Sequence, residues 1–229
     1  MLNTPEIIAS APLFGGLPLS QREDIGRIAV DRRYRRGEII FSEGEPGGGF
    51  FIVAVGKVKV YKVSPDGKEQ ILHIFGPGEP FGEVPVFTGQ PFPANAQTLS
   101  KARLLFFPRS SFVGLIAANP SLALNMLAVL SLRLREFTLQ IENLSLKEVP
   151  ARLASYLIYL TREQENETRV VLTISKGQLA SLLGTIPETL SRIFAKLTMQ
   201  ELIEVTGRDI RLLDRAGLAQ LAEFGKSAA

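Results

Sequence analysis

The hydrophobic positions of this chain change their period twice. Between residues 34 and 108 they fall in short β-branched and aromatic runs. The stretch "GEIIFSEGEPGGGFFIVAVGKVKVYKVSPDGKEQILHIFGPGEPFGE" is cut by Gly, Pro and Asp-Gly turns at roughly ten-residue spacing. "SPDG" at 64–67 predicts a hairpin turn. Short strands punctuated in this way predict a small barrel, sandwich or jelly roll.

From residue 120 to 146 the period becomes helical. "PSLALNMLAVLSLRLREFTLQIENLSL" has no Gly, and its one Pro opens it. Ala123, Leu127, Leu130, Leu134, Phe137, Ile141 and Leu144 recur at alternating intervals of four and three. That repeat predicts the seam of a two-stranded parallel coiled coil, and so a homodimer through Leu127, Leu130, Leu134, Phe137, Ile141 and Leu144. A long helix packed on its own domain is the plainer alternative.

The remaining residues mix both periods. "VPARLASYLIYLTRE" predicts a helix with Val149, Leu153, Leu157 and Leu160 inward. A polar loop, "ENETR", and a short strand, "VVLTI", follow. Two helices meet at Gly184, and "LIEVTGRDIRLLD" predicts a hairpin turning at Gly207. Together these describe a winged helix-turn-helix. The expected fold is α+β in three parts: an N-terminal β-roll over 1–118, a dimerisation helix over 119–146, and the winged helix over 147–229.

In the helix-turn-helix, Ser175 and Gln178 fit a capping box. Gly184 supplies the left-handed turn and Pro187 the first helical position. Leu190, Ile193, Phe194 and Leu197 then face inward, leaving Glu188, Ser191, Arg192 and Lys196 outside on a helix running to about Met199. Glu188 and Arg192 share a face, where a surface ion pair is the bland expectation. On a helix lying in a major groove, Arg pairs bidentately with guanine and Glu accepts from cytosine. Thr189, Lys196 and Ser175 would position phosphates. The partner expected is double-stranded DNA.

Composition limits the alternatives. Apolar residues are 45% of the 229, enough for a sizeable core. No cysteine is present, which removes disulfides, thiolate metal sites and cysteine-held iron–sulfur clusters. The net charge is +3, and residues 147–229 hold 11 Lys/Arg against 10 Asp/Glu, so placement of charge carries more weight than its total. The start lacks a basic n-region and no run reaches the ~20 apolar residues that span a bilayer, so a cytoplasmic protein with no membrane partner is expected.

"LASLLGTIPETLSRIFAKL" resembles the recognition motif of the CRP/FNR family of bacterial transcription regulators. That family joins a cyclic-nucleotide-binding-like β-roll, a long dimer helix and a winged helix-turn-helix, in the order found here. The pattern at Glu188, Ser191 and Arg192 is similar to that of the FNR branch. The resemblance implies half-sites with a TGA core, read by Glu188 and Arg192, and contact with RNA polymerase. Pro187 stands where the cyclic AMP receptor branch usually has Arg, which leaves the outer half-site bases open. "IENLSLKEVPARLASYLI" is similar to the helix junction of relatives that answer nitric oxide, several through haem.

"GPGEPFGE", residues 76–83, resembles the opening of the family's phosphate cassette. In nucleotide-binding members the Glu after Gly holds the ribose hydroxyl, and an Arg-Ser pair further on takes the cyclic phosphate. Gly82 and Glu83 match, but Phe92 and Pro93 fill the Arg-Ser position. A cyclic phosphate would meet no cation there, and burying an unpaired charge is costly. Cyclic AMP is therefore disfavoured, and Glu83 is expected to accept backbone N–H groups in a turn. An apolar pocket lined by Leu72, His73, Gly82, Glu83, Phe92, Pro93 and Met126 would suit an uncharged effector such as haem b, with His73, the sole histidine, as axial ligand. A ligand-independent or cyclic-nucleotide-responsive regulator is the alternative. A cupin-type metalloenzyme is remote, because one histidine cannot supply its ligand cluster. In the regulator reading, a signal in the β-roll shifts the pairing of the long helices and reorients the winged helices.

Overall fold

A computed structural model describes residues 4–224. The chain divides into two compact units, the first running through Arg135 and the second starting at Glu136.

The first unit opens with helix α1 (Thr4–Ser10), a 3-10 turn at Pro12–Phe14 and helix α2 (Leu19–Ile28). Eight strands follow: β1 (Val30–Tyr34), β2 (Ile39–Phe41), β3 (Gly49–Val55), β4 (Val58–Val63), β5 (Glu69–Phe75), β6 (Pro80–Phe81), β7 (Asn95–Thr98) and β8 (Ala102–Pro108). Helix α3 (Val84–Thr88) lies between β6 and β7, helix α4 (Arg109–Ala118) follows β8, and helix α5 (Ser121–Leu146) begins in this unit and ends in the second. The strands form two antiparallel four-stranded sheets, in the orders β1-β8-β3-β6 and β2-β7-β4-β5. The "SPDG" turn joins β4 to β5 as expected, with Gly67 at φ 83°.

β3 is buried along nearly its whole length because alternate residues serve two cores. Phe51 and Val53 join Phe41, Val58, Phe75, Phe81, Phe92, Ala96, Ala102 and Leu104 in one cluster, drawn from both sheets. Phe50, Ile52 and Ala54 point the other way, into a cluster with Ile7, Ile8, Leu13, Phe14 and Ile25 of the N-terminal segment. β8 repeats the device: Ala102 and Leu104 enter the first cluster, Leu105 and Phe107 the second. The N-terminal helices thus close the outer face of one sheet, a role that short strand runs between 34 and 108 do not announce.

α5 carries two stripes. Leu122 and Met126 are buried in the second cluster, with Val129 and Leu130 packed partly against it. Leu127, Leu134 and Ile141, seven residues apart, are 59%, 68% and 64% exposed. Ala123, Leu130, Phe137 and Leu144 are half-buried. Of the six expected seam residues, Leu130 also packs partly against the core of its own unit. A helix resting on a sheet must commit a second stripe that a heptad count alone does not separate from the first.

The second unit contains helix α6 (Val149–Glu163), β9 (Arg169–Val171), helices α7 (Lys176–Leu182) and α8 (Pro187–Met199), β10 (Ile203–Thr206), β11 (Asp209–Leu212) and helix α9 (Arg215–Phe224). Its antiparallel sheet runs β10-β11-β9, and Gly207 turns the hairpin at φ 65°. Leu153, Leu157 and Leu160 are buried as the periodicity predicts, and Val149 is half-buried. Among the described residues, no single helix is long and apolar enough to cross a membrane.

Candidate functional site

In the first unit, the turn after β5 leads through β6 into Gly82 and Glu83, directly before α3. Gly82 adopts φ 77°, and a Cβ there would approach the Phe41 and Phe92 rings to 3.1 and 3.3 Å. Glycine is therefore required on both conformational and steric grounds.

Glu83 is 7% exposed. Its Oε1 accepts a hydrogen bond from Arg133 Nη1 at 2.6 Å, and Arg133 Nη2 donates to the Pro80 carbonyl at 2.7 Å. The guanidinium also lies over the Phe75 ring, 4.9 Å from its centroid. The two side chains keep only 12% and 9% of their exposure. This corrects two expectations. The site contains a cation, brought from α5 fifty residues away in sequence, and the Glu83 carboxylate is held by that guanidinium. A forked, charge-assisted contact of this kind is among the stronger hydrogen-bonded arrangements.

Phe92 occupies the interior as the sequence implied. Its ring stacks on Phe41 with centroids 3.7 Å apart and planes 7° from parallel. Phe41, Phe51 and Phe75 surround Phe81 at centroid distances of 6.1, 5.3 and 5.4 Å. The Phe92 backbone is clamped too: its N–H donates to Glu45 O and its carbonyl accepts from Gly44 N–H.

Two expected lining residues, Pro93 and Met126, lie elsewhere, and a third, Leu72, sits at a bulge. Pro93 is exposed, with its carbonyl accepting from Lys62 Nζ at 3.1 Å. Leu72 is the extra residue where the β4–β5 register shifts, since Val60 pairs with His73 and Tyr61 with Ile71. Met126, 2% exposed, belongs to the cluster with Phe14 and Leu122. Its apolar, flexible side chain fits a gap between helix and sheet.

His73 packs against Phe75 with its ring tilted by 57°, centroids 4.5 Å apart, and its Nε2 faces Glu79 Oε1 at 3.5 Å. Glu79 also accepts from Gly76 N–H at 2.6 Å. Burial pushes the Glu79 carboxyl up, but the His73 contact, the Gly76 N–H and the nearby His73 and Arg133 charges together hold it below its ordinary value. Among the described residues, no group of three or more His, Asp or Glu is arranged to hold a metal. Phe41, Phe51, Phe75, Phe81 and Phe92 pack on one another, so a macrocycle seated among them would have to displace these rings.

In the second unit, the capping box is formed in full. Ser175 Oγ accepts from Gln178 N–H at 3.2 Å, and Gln178 Oε1 accepts from Ser175 N–H at 2.9 Å. Gly184 turns the chain at φ 65° and Pro187 opens α8. Arg152 Nη1 donates to the Leu183 carbonyl at 2.6 Å, capping the end of α7 from α6. Leu190, Ile193, Phe194 and Leu197 are buried, and Glu188, Ser191, Arg192 and Lys196 are exposed. Thr189 is half-buried. The outer face of α8 therefore presents the donor and acceptor set that base edges require.

Sequence reasoning missed Arg133 and Arg152. Arg133 had a signal: it continues the 4-3-4 stripe of Leu122, Met126 and Val129, so a charge was being carried to a buried face. Arg152 had none beyond its place on α6, because its acceptor is a backbone carbonyl.

Comparison with known proteins agrees with both halves. A model of the cyclic nucleotide-binding domain matches residues 31–119, and a model of the Crp-like helix-turn-helix domain matches 151–221. The chain is 30% identical to the CRP-like cAMP-activated global transcriptional regulator of Mycobacterium tuberculosis, covering 95% of this chain and 99% of that one. It is 32% identical to the cyclic AMP receptor protein of Thermus thermophilus, covering 94% and 98%. Among solved structures, FixK2 from Bradyrhizobium japonicum aligns with a TM-score of 0.76 at 27% identity, covering 88% of this chain and all of that one.

Two outcomes follow from this geometry. Arg133→Met strands the Glu83 carboxylate and should cost about 3–5 kcal/mol in urea unfolding, whereas Arg133→Met with Glu83→Leu should recover most of that loss. Equal losses for the single and double variants would mean the pair is not coupled. Glu79, being depressed, contributes stability above the ordinary glutamate range that is lost as pH falls through its folded value. Glu79→Gln should therefore flatten the acid side of a plot of Tm against pH; an unchanged slope would show that Glu79 is not held down.

Proposed function

We propose that this chain, which belongs to the CRP/FNR family of transcription regulators, works as a homodimer on a pseudo-palindromic operator and does so without a cyclic nucleotide. The family is one of DNA-binding regulators, not enzymes. Each protomer would lay α8 in a major groove, with half-sites about one helical turn apart. Arg192 would donate to guanine and Glu188 accept from cytosine of a TGA core, with Lys196 on phosphate. The exposed line of Leu127, Leu134 and Ile141 supports pairing through α5. RNA polymerase is the further partner such a regulator would engage.

The observation that carries the nucleotide-independent reading is the occupied seat. Two relatives are named for cyclic AMP. Here the residue expected to hold a ribose is bound to Arg133, and Phe92 fills the interior. A nucleotide would have to break a buried ion pair and unstack Phe92 from Phe41 before binding, and that cost is deducted from its affinity. Control by nitric oxide through haem, as a nitrosative-stress or anaerobic response, would rest on His73. It has less support, because Glu79 and Phe75 already engage that imidazole.

Fluorescence anisotropy in nucleotide-free buffer tests the proposal. The protein should prefer a palindrome with TGA half-sites over random DNA. Leu134→Glu should yield a monomer by sedimentation and lower palindrome affinity at least about tenfold, since two linked half-sites gain from effective concentration. A strict requirement for added cyclic AMP, or a monomer that binds the palindrome as well as the parent, would overturn it.

A further inference from the structure

We infer that Thr189 is a positioning residue that holds Arg192 ready to read a base, and that it does so by keeping Arg192 away from Glu188. This rests on the reading of α8 as the groove-reading helix.

Glu188 and Arg192 stand four apart, the spacing at which a helical Glu–Arg pair forms. Among the described residues no such ion pair exists. Arg192 Nη2 donates instead to Thr189 Oγ1 at 3.2 Å. Thr189 is half-buried on a helix whose inner face is anchored by Leu190 and Ile193, which places its hydroxyl one turn before Arg192 at the surface. Glu188, in the first turn of α8, is favoured there by the helix dipole.

The consequence is chemical. A guanidinium paired with Glu188 would commit up to two of its five donors and be aimed at the carboxylate, whose oxygens would be turned from cytosine to the same pair. Base readout would then require breaking that pair first. With one donor on Thr189, the remaining donors of Arg192 and the Glu188 oxygens stay available and separately aimed. The hydroxyl contributes specificity through Arg192, which differs from donating to a phosphate.

The two roles separate by measurement. Binding is measured at several salt concentrations to three DNAs: the intact palindrome, one with the core G·C pairs replaced by A·T, and random sequence. Thr189→Val should lower the preference for intact over altered palindrome about 3–10-fold, the range expected for one ordinary hydrogen bond. Affinity for random DNA and the salt slope should stay unchanged, and Thr189→Ser should retain the preference. If Thr189→Val weakens all three DNAs equally and reduces the salt slope by about one, Thr189 is a phosphate contact and the inference fails. No change on any DNA also overturns it. Arg192→Ala identifies the level of a failure: if that variant keeps the palindrome preference, the reading of α8 itself is wrong.

Discussion

The buried ion pair of Arg133 with Glu83 is the constraint on which the first unit of this protein depends. Removing two charges from water costs several kcal/mol per ion, and their attraction offsets this only with good geometry and further hydrogen bonds. Both conditions are met by the 2.6 Å contact to Glu83 and the second donation to Pro80 O. Once formed, the pair fixes α5 against the start of α3 and satisfies the Glu83 carboxylate. The same residue that marks a nucleotide cassette by sequence thus serves as an internal anchor.

Around that anchor the interior is aromatic. Phe41, Phe51, Phe75, Phe81 and Phe92 occupy the space between two sheets, and the guanidinium rests on Phe75. Aromatic pairs contribute beyond their buried area when stacked or tilted, and each ring here meets at least one other. The strands that support them are two-faced: β3 and β8 send alternate residues to the rings and to the helical cluster. A change in ring packing therefore bears on the seating of α5 through the same strands.

The sequence made the local devices legible. The Ser175–Gln178 box, the Gly184 turn, Pro187 and the buried face of α8 all depend on neighbours within one or two turns, and each appears as expected. Phe92 was legible because a position can be compared with a motif. Long-range pairing was not. Arg133 meets Glu83 across fifty residues; its place on the stripe of Leu122, Met126 and Val129 marks a buried face, but nothing local to it names the partner. Met126 reads as a pocket residue by sequence but lies in the core, because the helix carries two apolar stripes. Periodicity shows that a face is buried; it does not say against what.

The relatives named for cyclic AMP and the occupied seat of this chain lead to opposite expectations for one titration. Calorimetry of cyclic AMP added to the purified protein, at concentrations reaching the millimolar range, measures the difference directly. The account predicts no saturable heat, because Glu83 is already bonded and Phe92 is stacked in place. Saturable binding of one nucleotide per protomer with a micromolar Kd would contradict it.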